Sequence, residues 1–107
     1  MIRVFDGLRY NTETAKCVFC YSNGAYFTDF RYRAKDLYCT KNGAWFIHHT
    51  GGAMSDMAVT VGNGSAGSED IEAVSADDAY GFLEAHSADD DAQIAIDNYF
   101  ADRVVDA

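Results

Sequence analysis

Three dipeptides constrain the fold of this chain more than any other feature of its sequence. Asp6-Gly7, Asn23-Gly24 and Asn42-Gly43 each separate two runs rich in apolar, aromatic or β-branched residues. Such dipeptides are the preferred two-residue loops of β-hairpins, because both central positions of a type I′ turn have positive φ. The first half of the chain is therefore predicted to form an antiparallel β-meander, with strands at 2–5, 8–10, 16–22, 25–33, 36–40 and 44–50.

Two-residue loops also fix which residues face each other across the strands. The pairs that follow are Tyr21–Tyr26 and Cys17–Phe30 in one hairpin, and Cys39–Phe46 and Thr40–Trp45 in another. This register places Cys39 and His48 on one face, which Leu37 and Phe46 share, and it places His49 opposite Asp36. After the meander, further strands are predicted at 57–61 and at 71–74, the latter at a sheet edge, with a polar glycine-rich loop at 62–68 between them.

The C-terminal third contains two copies of a helix-start signal. Ser-Ala-Asp-Asp occurs at 75–78 and again at 87–90. In each copy the serine is predicted to cap the helix, and the aspartates lie in the first turn, where the helix dipole favours negative charge. The helices are predicted to end near residues 86 and 103. Their buried stripes are Ala79, Phe82 and Leu83 in the first helix, and Ala92, Ala95, Ile96, Tyr99 and Phe100 in the second.

These elements predict an α+β fold class: an antiparallel β-meander sheet with two C-terminal α-helices packed on one face, giving two layers. The length of 107 residues fits a single domain, mainly β over 1–74 and with both helices in 75–103. No apolar run reaches the roughly 18 residues of a membrane span. The odd number of cysteines, three, argues against a secreted disulfide framework and favours a reducing cytoplasm.

Charge is distributed unevenly along the sequence. The formal net charge is -9, from 8 basic and 17 acidic residues. Residues 1–50 carry seven bases and four acids, a net of +3, whereas residues 51–107 carry one base and 13 acids, a net of -12. Such a chain is expected to be repelled by nucleic acids and anionic membranes and attracted to basic surfaces. A solvated face or salt adaptation is the alternative, but a salt-adapted protein would spread its acids over the whole surface.

Most motifs that could carry chemistry favour ordinary structural roles. Cys17 and Cys20 have the spacing of a zinc or redox pair, but they lie in a predicted strand, where residues three apart point to opposite faces. They are interpreted as core cysteines. A thiolate–imidazole dyad of Cys39 and His48 lacks an oxyanion hole nearby, because its face is predicted to be packed. We therefore expect no enzymatic activity, no metal and no cofactor.

A basic strand is the second candidate surface. Arg31, Arg33 and Lys35 alternate with Phe30 and Tyr32, a pattern that could form a nucleic-acid platform. A solvated outer sheet face with inward aromatics is favoured instead, because the field of the whole protein opposes a polyanion.

The acids of the second half are the leading candidate for a binding surface. Acids three or four apart on a helix lie roughly 5–6 Å from each other, and DNA presents its phosphates at comparable intervals. Aspartate also outnumbers glutamate, and its shorter side chain fixes a charge more firmly in space. The predicted partner-binding residues are Glu69, Asp70, Glu72, Asp77, Asp78, Glu84, Asp89, Asp90, Asp91 and Asp97.

Three runs of the sequence resemble a known group of proteins. They are Arg9-Tyr10-Asn11-Thr12-Glu13-Thr14-Ala15, Asp36-Leu37-Tyr38-Cys39-Thr40-Lys41-Asn42-Gly43-Ala44-Trp45-Phe46 and Gly51-Gly52-Ala53-Met54-Ser55. The resemblance, which spans most of the chain, is to a family of small proteins carried by phages and mobile elements. The acidic helices look like those of anti-CRISPR proteins that inhibit type I-C systems. The family supplies no catalytic residues.

The resemblance implies an inhibitory DNA mimic. Such a protein would act in the cytoplasm of a bacterium, as a monomer, and would block the DNA-binding site of a CRISPR effector (Cascade) subunit without binding nucleic acid or membranes itself. Two alternatives stay open at this point: a protein-interaction module that uses the aromatic sheet face, and a nucleic-acid binder that uses the Arg31 strand. Rising salt concentration should strongly weaken the binding of a DNA mimic or of a nucleic-acid binder to its partner. It should barely weaken the binding of a protein-interaction module.

Overall fold

The computed structural model describes residues 1–24, 30–52, 54–62 and 64–107. Within these ranges the chain forms antiparallel strands followed by two helices, so the predicted α+β class is confirmed. The elements are β1 Ile2–Phe5, β2 Leu8–Asn11, β3 Lys16–Ser22, β4 Arg33–Cys39, β5 Trp45–Gly51, β6 Val59–Val61, β7 Gly64–Ala66, β8 Ser68–Val74, α1 Ala76–Ala85, α2 Asp90–Tyr99 and a terminal 3₁₀ turn, Ala101–Arg103.

A four-stranded antiparallel sheet with the order β3-β4-β5-β8 forms the centre of the structure. β1 and β2 form a separate hairpin, and β6 and β7 form another. The predicted edge strand at 71–74 is confirmed, although it begins earlier, at Ser68. The loop predicted at 62–68 is wrong for most of its length, because β7 pairs with β6; Asn63 lies outside the described residues.

The loop at Asp6-Gly7 has the predicted length of two residues, whereas the loop at Asn42-Gly43 is one residue longer than predicted. At the first, Phe5 pairs with Leu8, and Asp6 and Gly7 have φ values of 51° and 78°, as a two-residue type I′ loop requires. At Asn42-Gly43 the loop has three residues, because Gly43 N donates to Thr40 O at 3.0 Å and Thr40 N donates to Ala44 O at 2.8 Å. Gly43 has a φ of 84°, which is typical of a type I turn followed by a bulge.

The extra loop residue changes the register by one position. Cys39 pairs with Trp45 and Tyr38 pairs with Phe46, so the predicted Cys39–Phe46 and Thr40–Trp45 pairs are wrong. A one-residue slip moves side chains to the opposite face of a sheet. Leu37 therefore lies beside Ile47, away from Phe46, and Cys39 and His48 lie on opposite faces. His49 pairs with Lys35 instead of Asp36.

The connection between β3 and β4 also departs from the prediction. Residues 25–29 of the strand predicted at 25–33 lie outside the described residues, as does the partner in the Tyr21–Tyr26 pair. Phe30 and Arg31 lie in a turn, and β4 begins only at Arg33. Cys17 pairs with Tyr38, so its predicted pairing with Phe30 is wrong.

A β-bulge at Val18 interrupts the ladder of β3. Cys17 pairs with Tyr38, but Phe19 pairs with the next residue, Leu37, so Val18 is left over. Because of this extra residue, Cys17 and Cys20 lie on the same face of the sheet. Both residues are exposed, so their interpretation as core cysteines is wrong.

The first helix begins as predicted and the second does not. Ser75 caps α1 by accepting a hydrogen bond from Asp78 N. The cap of α2 is Asp89, not Ser87: its carboxylate accepts from Asp91 N at 2.9 Å. α2 ends at Tyr99, because the following Phe100 leaves helical geometry with a φ of -135°. Neither helix is long and apolar enough to cross a membrane, and the described residues hold no other candidate.

Two hydrophobic clusters lie on the two faces of the central sheet. On one face, Phe19, Leu37, Trp45 and Ile47 pack against residues of both helices, with Leu83 fully buried. On the other face, Phe46 and Ile71 pack against Tyr10 of the β1–β2 hairpin. Both helices thus lie on one face, as predicted, but the hairpin adds a third layer that the sequence did not predict.

Candidate functional site

The predicted partner-binding acids divide into a strand group and a helical group. β8 carries Glu69, Asp70 and Glu72; α1 carries Asp77, Asp78 and Glu84; α2 and its N-cap carry Asp89, Asp90, Asp91 and Asp97. All of them are exposed except Asp70, which is half-buried. The two groups differ in their neighbours.

Each acid of the strand group lies against a basic side chain. The contacts are Arg3 Nη1–Asp70 Oδ1 at 2.5 Å, His48 Nε2–Glu69 Oε2 at 3.4 Å and His49 Nε2–Glu72 Oε1 at 2.8 Å. Exposed pairs of this kind contribute only about 0–1 kcal/mol to stability. They nevertheless direct these carboxylates toward the protein itself, so a basic partner would have to compete for them.

The pair between His49 and Glu72 belongs to a longer chain of hydrogen bonds. Arg33 Nη2 lies 2.8 Å from His49 Nδ1, and arginine can only donate. Nδ1 must therefore accept, and the ring hydrogen lies on Nε2, where it is donated to Glu72. Arg33 also donates to Asp56 Oδ1 at 2.6 Å, which holds the pKa of that carboxyl below its usual value.

Because of this network, most of the predicted basic strand is not available as a nucleic-acid platform. The Arg33 side chain is largely buried and, besides Asp56 and His49, it donates to the carbonyl oxygen of Ala34. Arg31 lies in a turn outside β4, so the alternation of three bases along one strand is not present.

The aromatic side chains of the sheet are used in internal packing. On the hairpin side, the Tyr38 and Phe46 rings stack with their centroids 5.0 Å apart, and Tyr10 meets Phe46 edge-on at 5.6 Å. On the helix side, Trp45 contacts Tyr99 and stacks on Phe100 at 5.2 Å. A binding module that uses an open aromatic sheet face finds no support in this arrangement.

Two acids of the helical group have structural roles. Asp77 accepts a hydrogen bond from Arg103 Nη1 at 2.7 Å. The same guanidinium lies 5.3 Å from the Phe100 ring centroid and 5.6 Å from that of Tyr80, so three contacts hold it in place. Asp89 caps α2, as described above.

The other five helical acids form what we call the helical acid surface: Asp78, Glu84, Asp90, Asp91 and Asp97. Among the described residues, no lysine or arginine comes within 4.0 Å of these five carboxylates. The sequence explains this, because residues 42–102 contain neither lysine nor arginine. All five carboxylates are exposed, and that of Glu84 also lies against the Tyr80 hydroxyl.

The acids repeat at matching positions of the two helices. Asp77, Asp78 and Glu84 of α1 recur as Asp90, Asp91 and Asp97 of α2, displaced by 13 residues. The buried positions Ala79 and Leu83 recur as Ala92 and Ile96 at the same displacement. Each helix therefore turns two acids, seven residues or two turns apart, away from its buried side. Seven residues span about 10.5 Å of helix.

The described residues show no arrangement suited to covalent or metal chemistry at the cysteine–histidine position. Cys39 donates to Thr40 O at 3.5 Å on the face opposite His48, and burial raises the pKa of its thiol. No group of three or more His, Cys, Asp or Glu side chains in the described ranges could hold a metal ion.

Comparisons with family models, with curated proteins and with solved structures found no match for this chain.

Proposed function

We propose that this protein is a non-enzymatic inhibitor that mimics DNA, with the helical acid surface occupying the basic DNA-binding site of a partner protein. The observation that carries the proposal is the separation of charge in space. Five carboxylates on α1 and α2 are exposed without a lysine or arginine partner among the described residues, whereas the acids of β8 have basic neighbours.

The spacing of the helical acids supports mimicry of a phosphate backbone. Asp90 and Asp97, two helical turns apart, are separated by about 10.5 Å along the helix axis. DNA likewise presents like charges at regular intervals, one per about 3.4 Å of axis along each strand. A basic groove that holds several phosphates at once could therefore hold several of these carboxylates.

The field of this surface would also guide association. Screening at physiological salt leaves a charge effective over about 8 Å, and clustered charges of one sign raise association rates by 10- to 1,000-fold. A basic DNA-binding groove supplies the opposite charge, and such complementarity acts mainly on the association rate. The resemblance to anti-CRISPR proteins suggests which groove: that of a Cascade subunit of a type I-C effector, bound by a monomer of this protein.

A variant in which four acids are replaced by their neutral amides tests the proposal directly. In the helical variant Asp78→Asn, Glu84→Gln, Asp90→Asn and Asp97→Asn, four charges are removed at nearly constant side-chain size. Asp77 and Asp89 are kept because one pairs with Arg103 and the other caps α2. The assay measures how strongly each protein prevents purified type I-C Cascade from binding a fluorescent target DNA, at several salt concentrations.

The matched control removes four exposed acids elsewhere: Asp6→Asn, Glu13→Gln, Glu69→Gln and Asp106→Asn. Both variants change the net charge from -9 to -5, so they differ only in position. Because an association rate at least 10-fold lower weakens binding in proportion, we expect the helical variant to inhibit at least 10-fold more weakly and the control to lose much less. Equal losses would mean that net charge alone acts, and intact inhibition by the helical variant would exclude this surface. No inhibition by the unaltered protein would refute Cascade as the partner.

A further inference from the structure

The bulge in β3 creates a feature that the proposed function does not use. It turns Cys17 and Cys20 to the same face of the sheet, with their Sγ atoms 2.9 Å apart. A disulfide bond is about 2.03–2.05 Å long, so the sulfurs are less than 1 Å from bonding distance. Without the bulge, residues three apart in a strand would point in opposite directions.

Three features of the surroundings leave the two cysteines accessible to solvent and allow the backbone near them to shift slightly. Both cysteines are exposed to solvent. β3 is an edge strand of the central sheet, so a small backbone shift disturbs a ladder on one side only. The bulge at Val18 is itself a break in that ladder, where such a shift costs least.

Partial burial of the sulfur and acidic neighbours disfavour the thiolate form of Cys20. The pKa of its thiol is raised to about 12, first by burial of the sulfur, then by Cys17 and by Asp36 across the ladder. A disulfide carries no charge, so these surroundings oppose the thiolate without opposing the oxidised form.

We propose that Cys17 and Cys20 form a reversible intrachain disulfide by exchange with small disulfides of the glutathione class. The thiolate of one of the two cysteines attacks one sulfur of the small disulfide, which gives a mixed disulfide and releases one thiolate. The other cysteine loses its proton to solvent and attacks the protein sulfur of the mixed disulfide, which releases the second thiolate. Two protein thiols and one small disulfide thus become one protein disulfide and two small thiols. This proposal does not rest on the proposed function, although Asp91 of the helical acid surface lines the same pocket as both cysteines.

Thiol counting by mass tests the proposal. The reduced protein is incubated with excess oxidised glutathione, quenched in acid, unfolded and alkylated with iodoacetamide. We expect a product lighter by two hydrogens that takes up one alkyl group, at Cys39, whereas the untreated protein takes up three. Cys39→Ala is the matched control and should lose two thiols in the same way. Reduction with dithiothreitol should restore both.

The single variants Cys17→Ser and Cys20→Ser separate the two steps. Each should stop at a stable glutathione adduct on the cysteine of the pair that remains. The proposal is overturned if the unaltered protein accumulates only the glutathione adduct, or forms dimers, or keeps three alkylatable thiols. Because Cys17 and Cys20 are exposed, these serine variants should fold; if circular dichroism shows otherwise, the Cys39→Ala experiment still decides.

Discussion

Gly67→Ala is expected to destabilise the protein by crowding the end of the central sheet. A methyl group at Gly67 would lie 2.3 Å from the backbone oxygen of Gly51 and 3.1 Å from Gly52 Cα. Gly51 is the last residue of β5 and pairs with Ser68 of β8, so its carbonyl cannot turn away without disturbing the ladder. The added methyl group must therefore push the two strand ends apart.

The size of the effect follows from these contacts. Overpacking of a tight site costs roughly 1–3 kcal/mol. With an unfolding entropy of about 2.1 cal/mol/K per residue, 107 residues give about 0.22 kcal/mol/K, so each kcal/mol changes Tm by about 4.5 °C. Gly67→Ala should therefore lower Tm by about 4–13 °C, measured by differential scanning calorimetry or by circular dichroism of thermal unfolding.

Gly81→Ala is the matched control, because it adds the same methyl group at a place with room for it. A Cβ at Gly81, within α1, has no atom within 4 Å. Alanine in place of glycine in a helix interior stabilises by roughly 0.8–1 kcal/mol, so Tm should rise by about 4 °C. If Gly67→Ala is as stable as the unaltered protein, or if both variants lower Tm equally, the close approach of Gly67 to Gly51 is wrong.

Three further variants test the helix cap, an ionisable group in the sheet and the core. Asp89→Ala removes the cap of α2 and should cost about 1 kcal/mol, seen as a lower urea midpoint, whereas the exposed Asp97→Asn should leave it unchanged. Burial raises the pKa of Asp36, although His48 and Cys20 act in the opposite direction. The folded state therefore loses stability as pH rises through this raised pKa. Below the unfolded pKa of about 3.9 it loses none. Asp36→Asn should therefore stabilise the protein at pH 7, and this gain should vanish near pH 3.5 in urea titrations. Leu83→Ala empties a fully buried position and should cost about 2–5 kcal/mol, measured by the same titrations.

Local signals in the sequence were sufficient where one short segment decides the structure. The Asp6-Gly7 loop, the Ser75 cap and most strand positions depend on residues within a few positions of each other. Gly51 and Gly67 have reasons that the sequence alone did not reveal: a Cβ at Gly51 would lie 2.3 Å from Ser55 Oγ, and a Cβ at Gly67 would lie 2.3 Å from the backbone oxygen of Gly51. The second contact joins distant parts of the chain.

The register of β4 and β5 shows how little separates a correct prediction from a wrong one. Both possible loops at Asn42-Gly43 use a glycine with positive φ, so composition cannot choose between them. Thr40 favours the longer loop, because its Oγ1 accepts a hydrogen bond from Ala44 N at 3.0 Å. The longer loop also places Trp45 and Ile47 beneath the helices. The Val18 bulge has no comparable sequence signal, and with it the Cys17–Cys20 pair was missed.

The charge of the site was predictable only in part, because asymmetry along the chain differs from asymmetry in space. The acids of β8 belong to the acidic half of the sequence, yet β8 pairs with β5 of the basic half. That pairing places Glu69 and Glu72 beside histidines of β5, and Asp70 meets Arg3, 67 residues away. Among the described residues, the two helices have only one such neighbour, Arg103, close to the C-terminus. The carboxylates without a basic neighbour, which a basic partner would bind, therefore lie on α1 and α2. Their location depends on the strand order, which cannot be deduced from a count of charges along the sequence.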